Sequence, residues 1–106
     1  MAEQKREYFR VEFPRSYHPS LELDMDSYEI QDVSEFGVKF KVVGDNPFMT
    51  DELVVANIIF PDEEKFELSG QIVRIDGDYV SMELASPLPL SKIRAVHLYL
   101  IRNHMV

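Results

Sequence analysis

Two short groups of charged and polar residues lie near the start of the sequence, with 21 residues between them. The first is Arg6 and Arg10, in the form Arg-x-x-x-Arg. The second is Asp32, Ser34 and Gly37, in the form Asp-x-Ser-x-x-Gly. Together they offer two cationic forks, a carboxylate, a hydroxyl and a position without a side chain.

These residue types suit a ligand that carries both guanine bases and phosphates. An arginine presents a planar fork of donors that matches phosphate oxygens or the O6 and N7 edge of guanine, and its plane can stack on a base. The Asp32 carboxylate could accept hydrogen bonds from guanine N1–H and N2–H, groups that a phosphate site does not need. Asp32 and Ser34 are two residues apart, so an extended chain presents them on the same side. Gly37 allows either a positive φ or the close approach of a ligand.

Each group also has a structural interpretation, and taken alone each favours it. Arg-x-x-x-Arg occurs often by chance, and charged tails are usually solvated. Asp-x-Ser-x-x-Gly is also typical of an Asx-turn or a hairpin connection. The order of the two groups, their separation and the strand-rich remainder of the chain favour the functional interpretation.

The elements that position these residues are predicted to be short strands. Apolar and polar residues alternate in several runs, which indicates half-buried strands: 9–13, 21–25, 38–42 and 80–84. The run 53–60 is more uniformly apolar and predicts a strand covered on both faces. Turn signals separate the runs and predict hairpins at 61–64 and 76–78. Six or seven short strands at this spacing suggest a barrel or a sandwich.

The end of the chain instead predicts a helix, over about residues 88–104. One helical stripe is apolar, at Leu90, Ile93, Val96 and Leu100. A second apolar strip is formed by Ala95, Leu98 and Ile101. Two interpretations stay open: a helix largely buried against the barrel, or a helix that also packs on a partner subunit.

Length and composition predict a single domain over residues 1–106. The chain is 45% hydrophobic and 28% charged, which is typical of a soluble globular protein. It contains no cysteine, which excludes disulfides, thiolate metal sites and thiol nucleophiles. Neither a signal peptide nor an apolar run of ~20 residues is present, so we expect a cytoplasmic protein without membrane insertion.

Charge is distributed unevenly along the chain. The net charge is −8, made up of +1 over residues 1–15, −12 over 16–83 and +3 over 84–106. This balance argues against binding to nucleic acid, including single strands, which needs a basic groove. A small anion would respond to the local basic N-terminus, because screening limits electrostatic effects to ~8 Å.

Other chemistries find little support in the sequence. His18, His97 and His104 are too dispersed for a metal site, and Asp24-x-Asp26 lacks the glycine and glutamate of a calcium loop. Neither a glycine-rich phosphate loop nor a serine elbow nor a catalytic carboxylate pair is present. We therefore expect no metal, no cofactor and no enzymatic activity.

The two polar groups, in this order and at this separation, resemble the signature of the PilZ domain family. The resemblance spans essentially the whole chain, from the basic tail through the strands to the closing helix. It implies a mainly β fold, a six-stranded antiparallel β-barrel with a C-terminal α-helix. It also implies cyclic di-GMP as the ligand, bound between the tail and the barrel. Arg6 and Arg10 would then grip guanine and phosphate, Asp32 and Ser34 would bond a guanine, and Gly37 would keep the loop open.

The function implied by this resemblance is that of a bacterial second-messenger receptor, acting in motility or biofilm regulation. A tail of residues 1–10, mobile when free, would become ordered on the ligand and relay the signal to a protein partner. Lys5 would be an accessory residue that influences whether one or two ligand molecules bind. The alternative is an interaction module of the same fold that does not bind the nucleotide. The apolar helix supports this alternative, and it also raises the possibility of a homodimer.

Overall fold

A computed structural model describes residues 8–105, which form seven strands and one helix. In chain order these are β1 (Val11–Glu12), β2 (Ser20–Leu23), β3 (Asp26–Ser34), β4 (Gly37–Lys41), β5 (Leu53–Ile59), β6 (Lys65–Asp76), β7 (Tyr79–Leu84) and α1 (Leu90–Arg102).

Six of these strands close into an antiparallel barrel. They run in the order β3, β2, β5, β6, β7 and β4, and the pairing of β4 with β3 completes the ring. The short β1 pairs with the end of β3 that lies beyond β2, with Val11 opposite Val33. The predicted six-stranded antiparallel barrel with a C-terminal helix is confirmed.

The barrel interior is the hydrophobic core, and strand alternation fills it. In β4, Val38 and Phe40 are buried while the intervening Lys39 points to the outer face. The alternation predicted for 21–25 is wrong at its end. Met25 lies in the turn between β2 and β3 and is 97% exposed.

The prediction that 53–60 is covered on both faces is also wrong. Val54, Ala56 and Ile58 are buried, whereas Leu53 and Val55 are 80% and 60% exposed. A strand of a closed barrel has one face toward the core, and no second layer of the described chain covers the outer face of β5 at these two residues. The apolar run therefore leaves two large side chains on the surface.

Both predicted hairpins are present. The turn after β5 returns the chain to pair Ile59 with Lys65, and Phe60 N–H donates to the Glu64 carbonyl at 2.9 Å. The connection between β6 and β7 has only two residues, Gly77 and Asp78, and Gly77 has φ 63°. Glycine adopts this positive φ without steric cost, which favours the tight loop.

Two β-bulges interrupt the regular alternation. One lies in β3 between Ile30 and Asp32, and the other lies in β6 between Ile72 and Arg74. A bulge places two residues of one strand opposite one residue of its neighbour, so the side chains beyond it change face. Both bulges bear on the candidate site.

The helix α1 packs on the barrel through one face. Ile93, Val96 and Leu100 are buried, but Leu98 and Ile101 of the second apolar strip are 44% and 46% exposed. The helix is therefore not largely buried, and whether its open face meets a partner stays a prediction. It begins after Pro89 and ends at Arg102, slightly inside the predicted 88–104. No helix within residues 8–105 is long and apolar enough to cross a membrane.

Candidate functional site

The motif Asp-x-Ser-x-x-Gly forms the β3–β4 hairpin. Asp32 and Ser34 are the last outward-facing residues of β3, and Gly37 begins β4 opposite Ser34. The two-residue turn between them is held firmly by the end of the chain. Leu84 N–H donates to the Phe36 carbonyl and Leu88 N–H donates to the Glu35 carbonyl, both at 2.8 Å.

The bulge in β3 decides which way the motif faces. In unbroken alternation, Ile30, Asp32 and Ser34 would all point into the core. The extra residue at Gln31 instead leaves Ile30 and Val33 facing inward, both 0% exposed. Asp32 pairs with the outward-facing Lys39, so both motif side chains lie on the outer face, on the same side as predicted.

Asp32 and Ser34 are nevertheless 7% and 5% exposed. Asp32 is contacted by Arg10, whose guanidinium Nη1 donates to Asp32 Oδ1 at 3.1 Å. The side chain of Arg10 is 32% exposed and that of Asp32 is 10% exposed. The structure thus brings together one residue from each of the two sequence motifs.

The segment that carries Arg10 is anchored by its aromatic neighbours. Tyr8 contacts Phe36 of the motif hairpin, with ring centroids 5.0 Å apart. Phe9 contacts His97 of α1 edge-on, with centroids 4.9 Å apart. The strand predicted for 9–13 is shorter than expected, because only Val11–Glu12 pairs with β3.

One donor of Arg10 has no acceptor among residues 8–105. Its Nε is buried and makes no hydrogen bond with any part of the chain that the structure describes. A buried donor without a partner is costly, and such a group in a native protein calls for an explanation. A ligand acceptor reaching this guanidinium would remove that cost.

Gly37 is important because it has no side chain next to Ser34, and not because its backbone needs a positive φ. Among the described glycines only Gly44 and Gly77 have positive φ, so the close-approach interpretation applies at Gly37. A Cβ on this residue would lie 3.1 Å from Ser34 Oγ, which is tighter than ordinary contact. The glycine therefore keeps the Ser34 hydroxyl in its place and the outer face open.

A cleft of about 410 Å³ lies over this part of the barrel. It is lined by side chains and backbone from five different segments: Arg10, Asp32, Phe36, Gly37, Val38, Lys39, Val73, Ser81, Met82 and Glu83. Sequence reasoning found the motif residues of this cleft but missed Lys39, Ser81 and Glu83. These residues reach the cleft through strand pairing, which the sequence alone does not reveal.

Arg6 and Lys5 lie outside the described residues, so their predicted roles stay predictions. No group of three or more histidine, cysteine or acidic residues within residues 8–105 could hold a metal ion.

The fold and the site define a small antiparallel barrel domain with a motif-bearing hairpin beside an outer cleft. The chain belongs to the PilZ domain family, whose model matches residues 4–102. No curated protein matches the sequence significantly.

Solved structures share this fold at low sequence identity. The chain is similar to the PilZ domain of YcgR from Escherichia coli, a structure with c-di-GMP, at 18% identity and a TM-score of 0.69, covering 95% of each chain. It is similar to the inhibitor of motility MotI/DgrA of Bacillus subtilis at 17% identity and a TM-score of 0.67, covering 96% of this chain and 52% of that one. It is also similar to an uncharacterised Legionella protein, Lpg0364, at 18% identity and a TM-score of 0.59, covering 92% and 95%. The chain thus spans about half of MotI/DgrA.

Proposed function

We propose that this protein is a receptor for cyclic di-GMP, which binds in the cleft beside Arg10. One observation supports this above all: Arg10 and Asp32, taken from two separate motifs, meet at 3.1 Å beside Ser34 and Gly37. Membership of the PilZ family and the ligand in the YcgR structure support the same ligand chemistry.

The residues at the cleft match the groups of this dinucleotide. A guanine offers N1–H and N2–H to the Asp32 carboxylate, and its O6 and N7 accept from a guanidinium fork. The Nε of Arg10, which has no acceptor in the described part of the chain, supplies a donor for a phosphate or guanine oxygen. Ser34 Oγ can donate or accept at short range. Arg6 would add a second cation from the N-terminal side.

Binding at this site requires a rearrangement of Arg10. The Asp32 side chain is only 10% exposed while Arg10 lies against it. We propose that a guanine edge reaches the carboxylate when the guanidinium shifts, and that the segment carrying Arg10 shifts with it. The ligand therefore favours a different arrangement of the N-terminal segment, which is how binding energy becomes a signal.

The contact between Phe9 and His97 offers a route for that signal. Phe9 precedes Arg10 directly, and its ring lies 4.9 Å from the imidazole of α1. A shift of Arg10 would move Phe9 on the helix and alter the surface near the exposed Leu98 and Ile101. We propose that a protein partner reads this surface.

Calorimetric titration with cyclic di-GMP tests the receptor function, with GTP as the control ligand. Arg10→Ala and Asp32→Ala are expected to abolish binding that in the wild-type protein is micromolar or tighter, roughly −8 kcal/mol or better. Two matched controls, Arg15→Ala and Asp78→Ala, remove the same residue types from exposed positions outside the cleft lining and should bind normally. Absence of heat with the wild-type protein at high ligand concentration would overturn the proposal.

The relay is tested separately by amide hydrogen exchange. Saturation with ligand should change protection in the N-terminal segment and in α1 of the wild-type protein. In Phe9→Ala the change in α1 should be lost while binding persists. If α1 responds equally in both proteins, the Phe9–His97 contact does not carry the signal.

An interaction module that does not bind the nucleotide is the second candidate function. An apolar groove of about 420 Å³ on the outer face of β5, β6 and β7 favours it, because Leu53 and Val55 are exposed there. Exposed apolar surface of this kind often marks a protein contact. A wild-type protein that shows no binding to cyclic di-GMP would direct attention to this groove.

A further inference from the structure

Strand pairing aligns four polar residues across the outer face of the barrel. Asp32 of β3 lies opposite Lys39 of β4, Lys39 lies opposite Ser81 of β7, and Ser81 lies opposite Arg74 of β6. We call these four residues the outer row. Neighbouring strands are ~4.8 Å apart, so the row spans roughly 14 Å.

Both β-bulges of the barrel lie at the ends of this row. The bulge in β3 turns Asp32 outward, as described above. The bulge in β6 does the same for Arg74, because Ile72 pairs with the buried Met82 and regular alternation would then turn Arg74 inward. Bulges often re-aim a side chain next to a functional site. Here each bulge presents a charged side chain at one end of the same row.

Two cations of the outer row are available to a ligand. Residues 16–83 contain only four basic side chains against sixteen acidic ones, and Lys39 and Arg74 are two of the four. Neither forms an ion pair with a carboxylate in the part of the chain that the structure describes. Lys39 Nζ lies over the Tyr79 ring, 5.2 Å from its centroid, which holds it along the outer face.

The charges at the cleft show why such cations are needed. Arg10 and Asp32 neutralise each other, and Lys39 and Glu83 are the other charged residues of the described lining. The net charge of the described lining is therefore zero, so it has no excess positive charge to balance the two negative phosphates of a cyclic dinucleotide. Cations beyond the lining must contribute, and Arg74 stands immediately after the lining residue Val73.

We propose that Lys39 and Arg74 bind the phosphates of the dinucleotide from the barrel side, an inference that rests on the proposed function. Arg10 and Asp32 then serve a guanine at one end of the outer row. Lys39 and Arg74 flank Ser81, two strand spacings or roughly 10 Å apart. Both side chains are long enough to converge on phosphate oxygens above it. An Arg fork and a Lys point charge are both suited to phosphate.

The test compares Lys39→Gln and Arg74→Gln with two controls that remove the same charge elsewhere. Lys41→Gln changes the next outward-facing residue of β4, which pairs with Tyr79 and does not line this cleft. Lys65→Gln changes the far end of β6. Each outer-row variant should weaken cyclic di-GMP binding by ~10-fold or more, as expected for loss of a hydrogen bond to a charged group. The affinity of each control variant should stay within about twofold of that of the wild-type protein. This small difference should shrink at high salt, because salt screens the long-range charge effect.

The receptor function and the phosphate-binding role of Lys39 and Arg74 are overturned by different results. Thermal unfolding of each variant establishes that it is folded, which the exposed or half-exposed positions favour. If the wild-type protein binds and the outer-row variants bind as tightly as the controls, this inference is overturned and the receptor function stands. If the wild-type protein itself does not bind, the proposed function fails and this inference fails with it.

Discussion

Replacement of Lys92 by methionine is expected to weaken the attachment of α1 to the barrel. Lys92 Nζ contacts Asp62 Oδ2 at 2.5 Å and Glu64 Oε1 at 2.7 Å, both in the turn between β5 and β6. It also lies over the Phe60 ring, 5.0 Å from the centroid. Methionine keeps most of the apolar stem and removes only the charge.

The size of the destabilisation depends on how exposed Asp62 and Glu64, the partners of Lys92, are. The lysine side chain is 11% exposed, but both carboxylates are 54% exposed and stay hydrated when the lysine is lost. Each such ion pair contributes ~0.2–1 kcal/mol, and the cation–π contact contributes ~0.5–1 kcal/mol. The free energy of unfolding should fall by about 1–3 kcal/mol, which lowers Tm by about 4–24 °C in a domain of this size.

The loss should depend on pH. Hydrogen bonding to Lys92 lowers the pKa of Asp62, so its contribution is complete above the unfolded value of about 3.9 and disappears as the pH falls through the lower folded value. Burial alone would lower the pKa of Lys92, but the hydrogen bonds to Asp62 and Glu64 outweigh it and raise that pKa. The contribution of Lys92 is therefore complete below about pH 10.4 and is lost above it. The difference in the free energy of unfolding between the wild-type protein and Lys92→Met should be constant between about pH 3.9 and about pH 10.4 and should shrink outside this range.

Thermal unfolding of a double-mutant cycle measures the effect. Lys92→Met should destabilise the wild-type background. In an Asp62→Asn, Glu64→Gln background the loss should shrink to the ~0.5–1 kcal/mol of the contact with Phe60. Lys65→Met, at an exposed position in the same region, serves as the control. An equal loss in both backgrounds would refute the assignment of the stabilisation to these ion pairs.

Further predictions concern the two strand glycines and the open face of α1. Gly70→Ala places a Cβ 2.2 Å from the Glu83 carbonyl oxygen, so β6 and β7 must separate. In chemical unfolding, the free energy of unfolding should fall by about 1–3 kcal/mol. The control Ser69→Ala should not show this fall. Gly37→Ala displaces the Ser34 hydroxyl by a few tenths of an ångström. The variant should unfold near the wild-type temperature but bind cyclic di-GMP more weakly in calorimetry. An unchanged affinity would contradict the role of this glycine. Sedimentation of Leu98→Glu against wild type tests the predicted homodimer, since a dimer formed through α1 should dissociate in this variant.

Much of the fold could be predicted because it follows from local patterns. Alternation identified the strands around Val38 and Val80, and turn residues identified the hairpin at Gly77. The site motif could also be recognised, because residue types at fixed spacing are visible in a sequence. The structure brings one residue of each motif, Arg10 and Asp32, together at 3.1 Å, and their role in ligand binding stays a prediction.

The remaining features depend on tertiary structure. Alternation alone directs Asp32 toward the core, and only the bulge in β3 explains its outward position. The outer row was missed because its members meet through register between strands. The sequence did contain a sign of each bulge. Ile30 and Val33 are core residues three positions apart, and Ile75 packs against the core three positions after the core residue Ile72. This spacing breaks the period of two and indicates a bulge.

The binding of cyclic di-GMP beside Arg10 is best tested by an NMR titration of the wild-type protein with this ligand, with the backbone amide signals as the readout. We predict saturable shifts concentrated at Arg10, Asp32, Ser34, Gly37 and Lys39, with smaller shifts in α1 and none around Leu53. Shifts centred on another part of the barrel would contradict the proposed site, and a spectrum unchanged at high ligand concentration would contradict the receptor function itself.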